Sequence, residues 1–259
     1  MILTAGYSNP NNPSTTPRHP QTESIDIEPL VVLTGAGVSA ESGVPTFRGA
    51  GGVWRTYRAE ELATPSAFLR DPQLVWEFYA WRRELIAACK PNKAHLLLAE
   101  IEKQISDFTL ITQNVDGLHA AAGSRNIIEI HGSIWRIRCL SCGGRWDDRN
   151  VPLGELPPQC PVCREMARPD VVWFGETLEA EVIDRAFETA QRAHTMLVIG
   201  TSGIVYPAAE LPRVSKARGA NLIEINTEET PISGIADKVY RSKTTIGLQD
   251  WWADQQNTN

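Results

Sequence analysis

Leu30-Val31-Val32-Leu33-Thr34-Gly35-Ala36-Gly37-Val38-Ser39-Ala40 is the stretch on which the fold turns. Leu30 to Thr34 is a short apolar run rich in β-branched residues, and it reads as a strand. It breaks at Gly35-Ala36-Gly37, a loose match to the glycine fingerprint that lets a backbone approach a pyrophosphate with helix-start N–H groups facing the anion. An ordinary dinucleotide-binding half would place an acidic residue about 20 residues on, at the end of a second strand. Glu60 and Glu61 lie near that distance, but no strand precedes them. The chain instead runs through Glu41-Ser42-Gly43-Val44-Pro45-Thr46-Phe47-Arg48 into a glycine-rich turn, Gly49 to Gly52, read as a mobile flap. This disfavours a standard dehydrogenase.

The same arrangement recurs along the chain. Thr109 to Thr112 leads into Gln113-Asn114-Val115-Asp116, and Ile127 to Ile130 into His131-Gly132. Met196 to Ile199 precedes Gly200-Thr201-Ser202, and Leu222 to Ile225 precedes Asn226-Thr227-Glu228. Between these runs lie stretches of helical period, such as Leu178, Val182, Ala186, Phe187 and Ala190. Strands alternating with helices imply an α/β fold with a parallel sheet. The carboxyl ends of parallel strands line one crevice, so these polar motifs should converge on a single ligand site.

A chain of 259 residues with 42% hydrophobic content is long enough for one large core with a small satellite. No apolar run approaches the roughly 18 to 20 residues that span a bilayer, and the N-terminus lacks a secretory layout, so a cytoplasmic protein is expected. A formal charge of −6 argues against a nucleic-acid binder held by general phosphate attraction and could favour basic peptides. Ser8 to Ser24 has no aliphatic or aromatic residue and carries four prolines, so residues 1–28 read as a flexible arm. Residues 254–259 read as a polar tail.

Cys139-x2-Cys142 and Cys160-x2-Cys163, separated by 17 residues, have the spacing of a four-thiolate zinc site. Two disulfides are the competing reading, which a reducing cytoplasm disfavours. Four protein ligands close the coordination sphere, so the zinc would be structural. Cys89 is left over and reads as a packed helix residue. Among the histidines, His19 lies in the arm, while His95, His119 and His194 sit in or beside helical patterning. His131 directly follows a strand, with Gly132 giving close access. Its imidazole is a candidate general base, with a packed histidine as the alternative.

Taken together these residues resemble the sirtuins. The likeness runs from about Leu30 to Tyr240. It is carried by Gly35-Ala36-Gly37-Val38-Ser39, Pro45-Thr46-Phe47-Arg48, Gln113-Asn114-Val115-Asp116-Gly117-Leu118-His119, His131-Gly132, both cysteine pairs, Phe174-Gly175-Glu176 and Gly200-Thr201-Ser202. The resemblance implies a Rossmann-like NAD-binding domain at 29–56, 91–134 and 168–250. It also implies a small domain of a helical module (57–90) and a zinc ribbon (135–167), with NAD and acyl-lysine meeting between the two. Valine at Val115, where isoleucine is commoner, and Gly203 after the nucleotide-loop serine are small departures.

Carried over by that resemblance, Gly35, Ala36, Gly37, Ser39 and Ala40 would hold the pyrophosphate. Arg48 would contact phosphate, and Phe47, with Trp54, would close over the reacting face. Gln113, Asn114, Val115 and Asp116 would grip nicotinamide and ribose. Gly200, Thr201, Ser202, Asn226, Thr227, Glu228 and Lys243 would serve the adenosine half. Val171, Trp173, Phe174, Gly175 and Glu176 would pair with the substrate backbone by strand addition. The implied reaction is NAD-dependent deacylation of protein lysine: the amide oxygen attacks the nicotinamide ribose, and His131 acts as general base through a ribose hydroxyl. The products would be nicotinamide and O-acyl-ADP-ribose.

Tyr79-Ala80-Trp81-Arg82, in a helix from about Pro72 to Cys89, resembles the mark of the branch that accepts acyl groups ending in a carboxylate. Residues three apart lie roughly 60° around a helix, so both side chains can reach one pocket. Arginine offers a planar fork for a carboxylate, tyrosine adds a hydroxyl donor, and a small Ala63 leaves room for a longer chain. Two readings from other classes stay open: a protein ADP-ribosyltransferase, and a non-catalytic zinc module that binds acylated proteins.

Overall fold

The computed structural model describes residues 27–45, 53–54 and 56–257, the side chains of 53 and 54 excepted. The arm through residue 26, Phe47, Arg48, the glycine flap at 49–52 and the Trp54 side chain lie outside what is described. In chain order the first elements are β1 (Leu30–Thr34), α1 (Gly37–Ala40), β2 (Val53–Trp54), β3 (Tyr57–Arg58), α2 (Ala59–Leu62), α3 (Pro65–Arg70), α4 (Pro72–Ala87) and α5 (Lys93–Gln104). Then come β4 (Phe108–Thr112), α6 (Leu118–Ala122), β5 (Ile127–Glu129), β6 (Gly132–Cys139), β7 (Arg145–Asp147), β8 (Ala167–Val171) and α7 (Ala180–Arg192). The last are β9 (Thr195–Ile199), α8 (Leu211–Ala217), β10 (Asn221–Asn226), β11 (Lys238–Arg241) and α9 (Thr244–Asn257).

Six strands form one sheet in the order β11-β10-β9-β1-β4-β5, and every adjacent pair is parallel. Strand geometry sends alternate side chains to opposite faces, and here both faces are covered. Leu30 and Val32 pack with Leu98 and Ile101 of α5 and Leu248 and Trp251 of α9. Val31 and Leu33 pack with Ala186 and Ala190 of α7 and Leu211 of α8. The strand runs carry no polar alternation because neither face meets water. The chain leaves β1 for β4 on one side and returns to β9 on the other, which opens a crevice above the carboxyl end of β1.

A second, three-stranded antiparallel sheet, β7-β6-β8, packs with the α2–α4 helices around Trp76, Phe78, Tyr79, Ile134, Ile137 and Trp173. Trp76 ties the two parts by donating its indole N–H to the Ala167 carbonyl at 2.9 Å. Strand β6 begins immediately after His131 and ends at Cys139.

Three expectations need correction. The anticipated boundaries at 134/135 and 167/168 cut through β6 and β8, which are hydrogen-bonded partners with Gly132 opposite Val171, so both strands belong whole to the small sheet. The arm does not extend to residue 28: Ile27 is buried, and the Glu28 carboxylate accepts the Ser106 hydroxyl at 2.5 Å and the Asp107 N–H at 3.1 Å. Nor is Asp254 the start of a tail. Helix α9 continues to Asn257, anchored by buried Trp251 and Trp252 and by Asp254, which takes Lys238 and Tyr240 at 2.6 Å each. Cys89 lies just past the end of α4, half-buried, donating its thiol to the Leu85 carbonyl.

Candidate active site and metal centre

The carboxyl ends of β1 and β9 meet at their glycines. A β-carbon on Gly37 would stand 2.7 Å from the Gly200 backbone, and one on Gly200 would stand 2.6 Å from the Val38 nitrogen, at a φ of +60°. Only glycine allows these two loops to close on each other. Above them lies a cavity of about 460 Å³. It is lined by Gly35, Ala36, Gly37 and Ser39, by Gly200, Thr201 and Ser202, and by Gln113, Asn114, Val115, Asp116 and His131. Ala63, Tyr79, Arg82, Val171, Trp173, Phe174, Gly175 and Glu176 complete the lining. Four of the five motifs that follow strands therefore converge, and Asn226-Thr227-Glu228 after β10 does not line the cavity.

Hydrogen bonds fix how the polar groups face. Ser39 donates its hydroxyl to Asp116 at 2.8 Å and accepts from the Asn114 amide at 3.2 Å; Asp116 also accepts the Leu118 N–H at 2.9 Å. His95 backs this group. Its Nδ1 accepts the Asn92 N–H at 3.3 Å, which leaves the proton on Nε2, 3.3 Å from Ser39 Oγ. His119 lies beside it with ring centroids 4.7 Å apart, and its Nε2 donates to Thr34 Oγ1 at 3.0 Å, since the Thr34 proton is committed to Thr112. Burial holds His95 down to about 4, and burial followed by the neighbouring His95 holds His119 well below the ordinary imidazole value. Burial raises the Asp116 carboxyl, opposed by its bonds to Leu118 and Ser39 and by the charge of Arg82. Sequence patterning placed His95 and His119 on helices but carried no signal that two imidazoles are buried together.

His131 stands half-buried at the foot of β6, its Nδ1 2.9 Å from the Gln113 carbonyl oxygen. Burial lowers its pKa, and the bond to Gln113 opposes this. The backbone that follows is stitched to it: Val172 N–H donates to the His131 carbonyl at 2.9 Å, and Phe174 N–H to the Ala63 carbonyl at 2.9 Å. Tyr79 and Arg82 are 3% and 5% exposed, one turn of α4 apart. Burial pushes the Tyr79 phenol up to about 12. Burial lowers Arg82, with Tyr79 and Asp116 working against that shift.

Some expected residues do not reach the cavity. Ala40, Thr227, Glu228 and Lys243 are exposed and line no part of it. Asn226 acts at one remove, donating its amide to the Thr201 carbonyl at 2.8 Å.

At the far end of β6 the sulfurs of Cys139, Cys142, Cys160 and Cys163 all lie within 4.8 Å of one another. Cys139 and Cys163 are 3.4 Å apart and Cys142 and Cys160 3.7 Å. Four thiolates on zinc at about 2.3 Å make tetrahedron edges of about 3.8 Å, so the set fits one zinc ion. Backbone N–H groups of Ser141 and Cys142 point at the Cys139 sulfur and that of Val162 at Cys160, the donors a thiolate needs. No open coordination position remains for catalysis, and the centre is structural.

A model described as the Sir2 family matches residues 35–207. The chain belongs to the Sir2 family. The NAD-dependent protein deacylase of Aquifex aeolicus (strain VF5) is 54% identical over 220 residues, 85% of this chain and 92% of that one. NAD-dependent protein deacylase 1 of Caldanaerobacter subterraneus subsp. tengcongensis is 56% identical over 203 residues, 78% of this chain and 84% of that one. Among solved structures, a Sir2 homologue in complex with NAD superposes with a TM-score of 0.84 at 47% identity, covering 90% of this chain and 91% of that one. A Sir2 protein bound to acetylated peptide gives 0.76 at 32% identity, covering 86% and 92%. The chain combines a parallel sheet with a four-cysteine module, and no helix among the described residues is long and apolar enough to cross a membrane.

Proposed function

We propose that this Sir2-family chain is an NAD-dependent protein-lysine deacylase whose pocket takes acyl groups ending in a carboxylate, succinyl and malonyl, as well as acetyl. One observation carries the reading: a single cavity is lined by the glycine loops, the Asn114–Asp116 segment, His131 and the Val171–Glu176 backbone that is hydrogen-bonded to His131. Its volume of about 460 Å³ lies within the roughly 300–1,000 Å³ of small-ligand sites.

NAD, when bound, would supply an electrophilic ribose carbon: the acyl oxygen would bond to it as nicotinamide leaves, and one water would then release the lysine amine, leaving the acyl group on ADP-ribose. Gly35, Ala36 and Gly37 give the pyrophosphate a floor with no side chain larger than a methyl, Ser202 and Asn226 serve the adenosine end, and Asn114 and Asp116 hold the nicotinamide end. Ser39 keeps Asp116 aimed by donating to it. His131, protonated on Nδ1 toward Gln113, has its Nε2 lone pair free to take a proton from a ribose hydroxyl. The acylated peptide adds as a strand along Val171–Glu176, where main-chain bonds tolerate many side chains. Four thiolates held for a metal suit a reducing cytoplasm, where disulfides are rare.

Tyr79, Arg82 and Ala63 line the same cavity and are read as the acyl end of the substrate site. Burying a carboxylate there without a partner costs several kcal/mol, whereas beside a buried guanidinium it is compensated. Mass spectrometry of acetyl- and succinyl-lysine peptides incubated with enzyme and NAD tests the reading: both acyl groups should be removed, with one O-acyl-ADP-ribose formed per lysine freed. Labelling of a protein acceptor from NAD without any lysine product would point to an ADP-ribosyltransferase instead.

A further inference from the structure

The indole Nε1–H of Trp173 donates to the Tyr79 hydroxyl oxygen at 2.9 Å. An indole N–H only donates, so Tyr79 accepts this bond and its own proton must turn elsewhere. Both residues line the cavity, next to Arg82. The phenol stays protonated under any ordinary condition and is a standing neutral donor.

Trp173 is itself clamped. The guanidinium carbon of Arg168 lies 3.3 Å from its ring centroid. The same guanidinium reaches both oxygens of Glu176, at 2.5 and 2.9 Å, and the Val171 carbonyl at 2.9 Å. Glu176 in turn accepts the Trp173 backbone N–H at 2.8 Å. Arg168 is 4% exposed, so one buried planar fork holds the start, the ring and the end of the Val171–Glu176 segment. Lysine could supply the charge but neither the fork nor the stack.

We propose that Arg168 and Trp173 are positioning residues for acyl selection: the clamped indole fixes the direction in which the Tyr79 hydroxyl donates, aiming it at a carboxylate held by Arg82. The proposal rests on the carboxyacyl reading of the pocket. A carboxylate needs that donor, and a methyl terminus does not, so the clamp bears on the ratio of the two activities more than on either alone.

Trp173→Phe keeps a ring against Arg168 and Phe68, whose ring centroid is 5.1 Å away, and removes only the N–H and part of the ring. We expect the succinyl-to-acetyl ratio of kcat/KM to fall about tenfold, the scale of one neutral hydrogen bond. Tyr79→Phe should lower the ratio similarly. In the Tyr79→Phe background, adding Trp173→Phe should leave the ratio within about twofold, because no hydroxyl remains to be aimed. Arg168→Lys, which should lower the ratio while raising KM for both peptides, carries the test if Trp173→Phe fails to fold. Equal losses on both acyl groups in Trp173→Phe, or a further fall of the ratio in the double variant, would overturn the positioning role and leave the deacylase reading intact. A wild-type enzyme that removes acetyl but not succinyl would overturn the carboxyacyl reading and this proposal with it.

Discussion

Nδ1 of His131 lies 2.9 Å from the carbonyl oxygen of Gln113, and a carbonyl can only accept, so that nitrogen carries the proton and Nε2 is left basic. Burial depresses the imidazole below its ordinary value, so the base stays neutral at pH 7 and is protonated only in more acid solution. Deacylase kcat/KM should therefore hold on lowering the pH through 6.5 and fall below it. His131→Tyr should abolish deacylation while NAD still binds, as read by calorimetric titration. Near-normal turnover by that variant would remove His131 from the mechanism.

Acyl choice should follow Arg82. Arg82→Met removes a charge-assisted bond worth about 1.5–3 kcal/mol, a ten- to hundredfold loss of succinyl efficiency, with acetyl efficiency much less affected. Tyr79→Phe should cost less. Proportional losses on the two substrates, measured on one peptide carrying either acyl group, would assign Arg82 to the fold.

The buried imidazoles should make the fold sensitive to acid. His95 falls from 6.5 to about 4 on folding, so its contribution is complete above pH 6.5 and is lost as pH drops toward 4, where the unfolded chain binds a proton the folded one refuses. The full span is on the order of 3 kcal/mol. Replacing His95 with Gln should flatten the decline of Tm between those pH values; an unchanged slope would place the acid sensitivity elsewhere.

Purified protein should contain one zinc per chain, and removing it with a strong chelator should lower Tm and activity together. Folded, active protein with no metal by elemental analysis would refute the centre.

The strands and the thiolate site were legible because each rests on a local signal: apolar β-branched runs buried on both faces, and two Cys-x2-Cys pairs. The glycine contact of Gly37 with Gly200 could be anticipated only as a loose motif. What stayed hidden depends on side chains distant in sequence. Trp173 meets Tyr79 across 94 positions and Ser39 meets Asp116 across 77, and no spacing rule announces either bond. The α9 terminus was misread for the same reason, since Asp254 looks like solvent-facing polarity until Lys238 and Tyr240 reach it.

Strand β6 has His131 at its threshold and Cys139 as its last residue, so one extended segment of eight residues, roughly 26 Å at about 3.3 Å per residue, joins the proton acceptor to the metal. Its neighbour β8 runs back from beside the thiolates to the substrate edge. The thiolates thus anchor the same two strands whose other ends flank His131 and the Val171–Glu176 segment, so a reagent that strips the metal would undo the footing of the cleft without entering it.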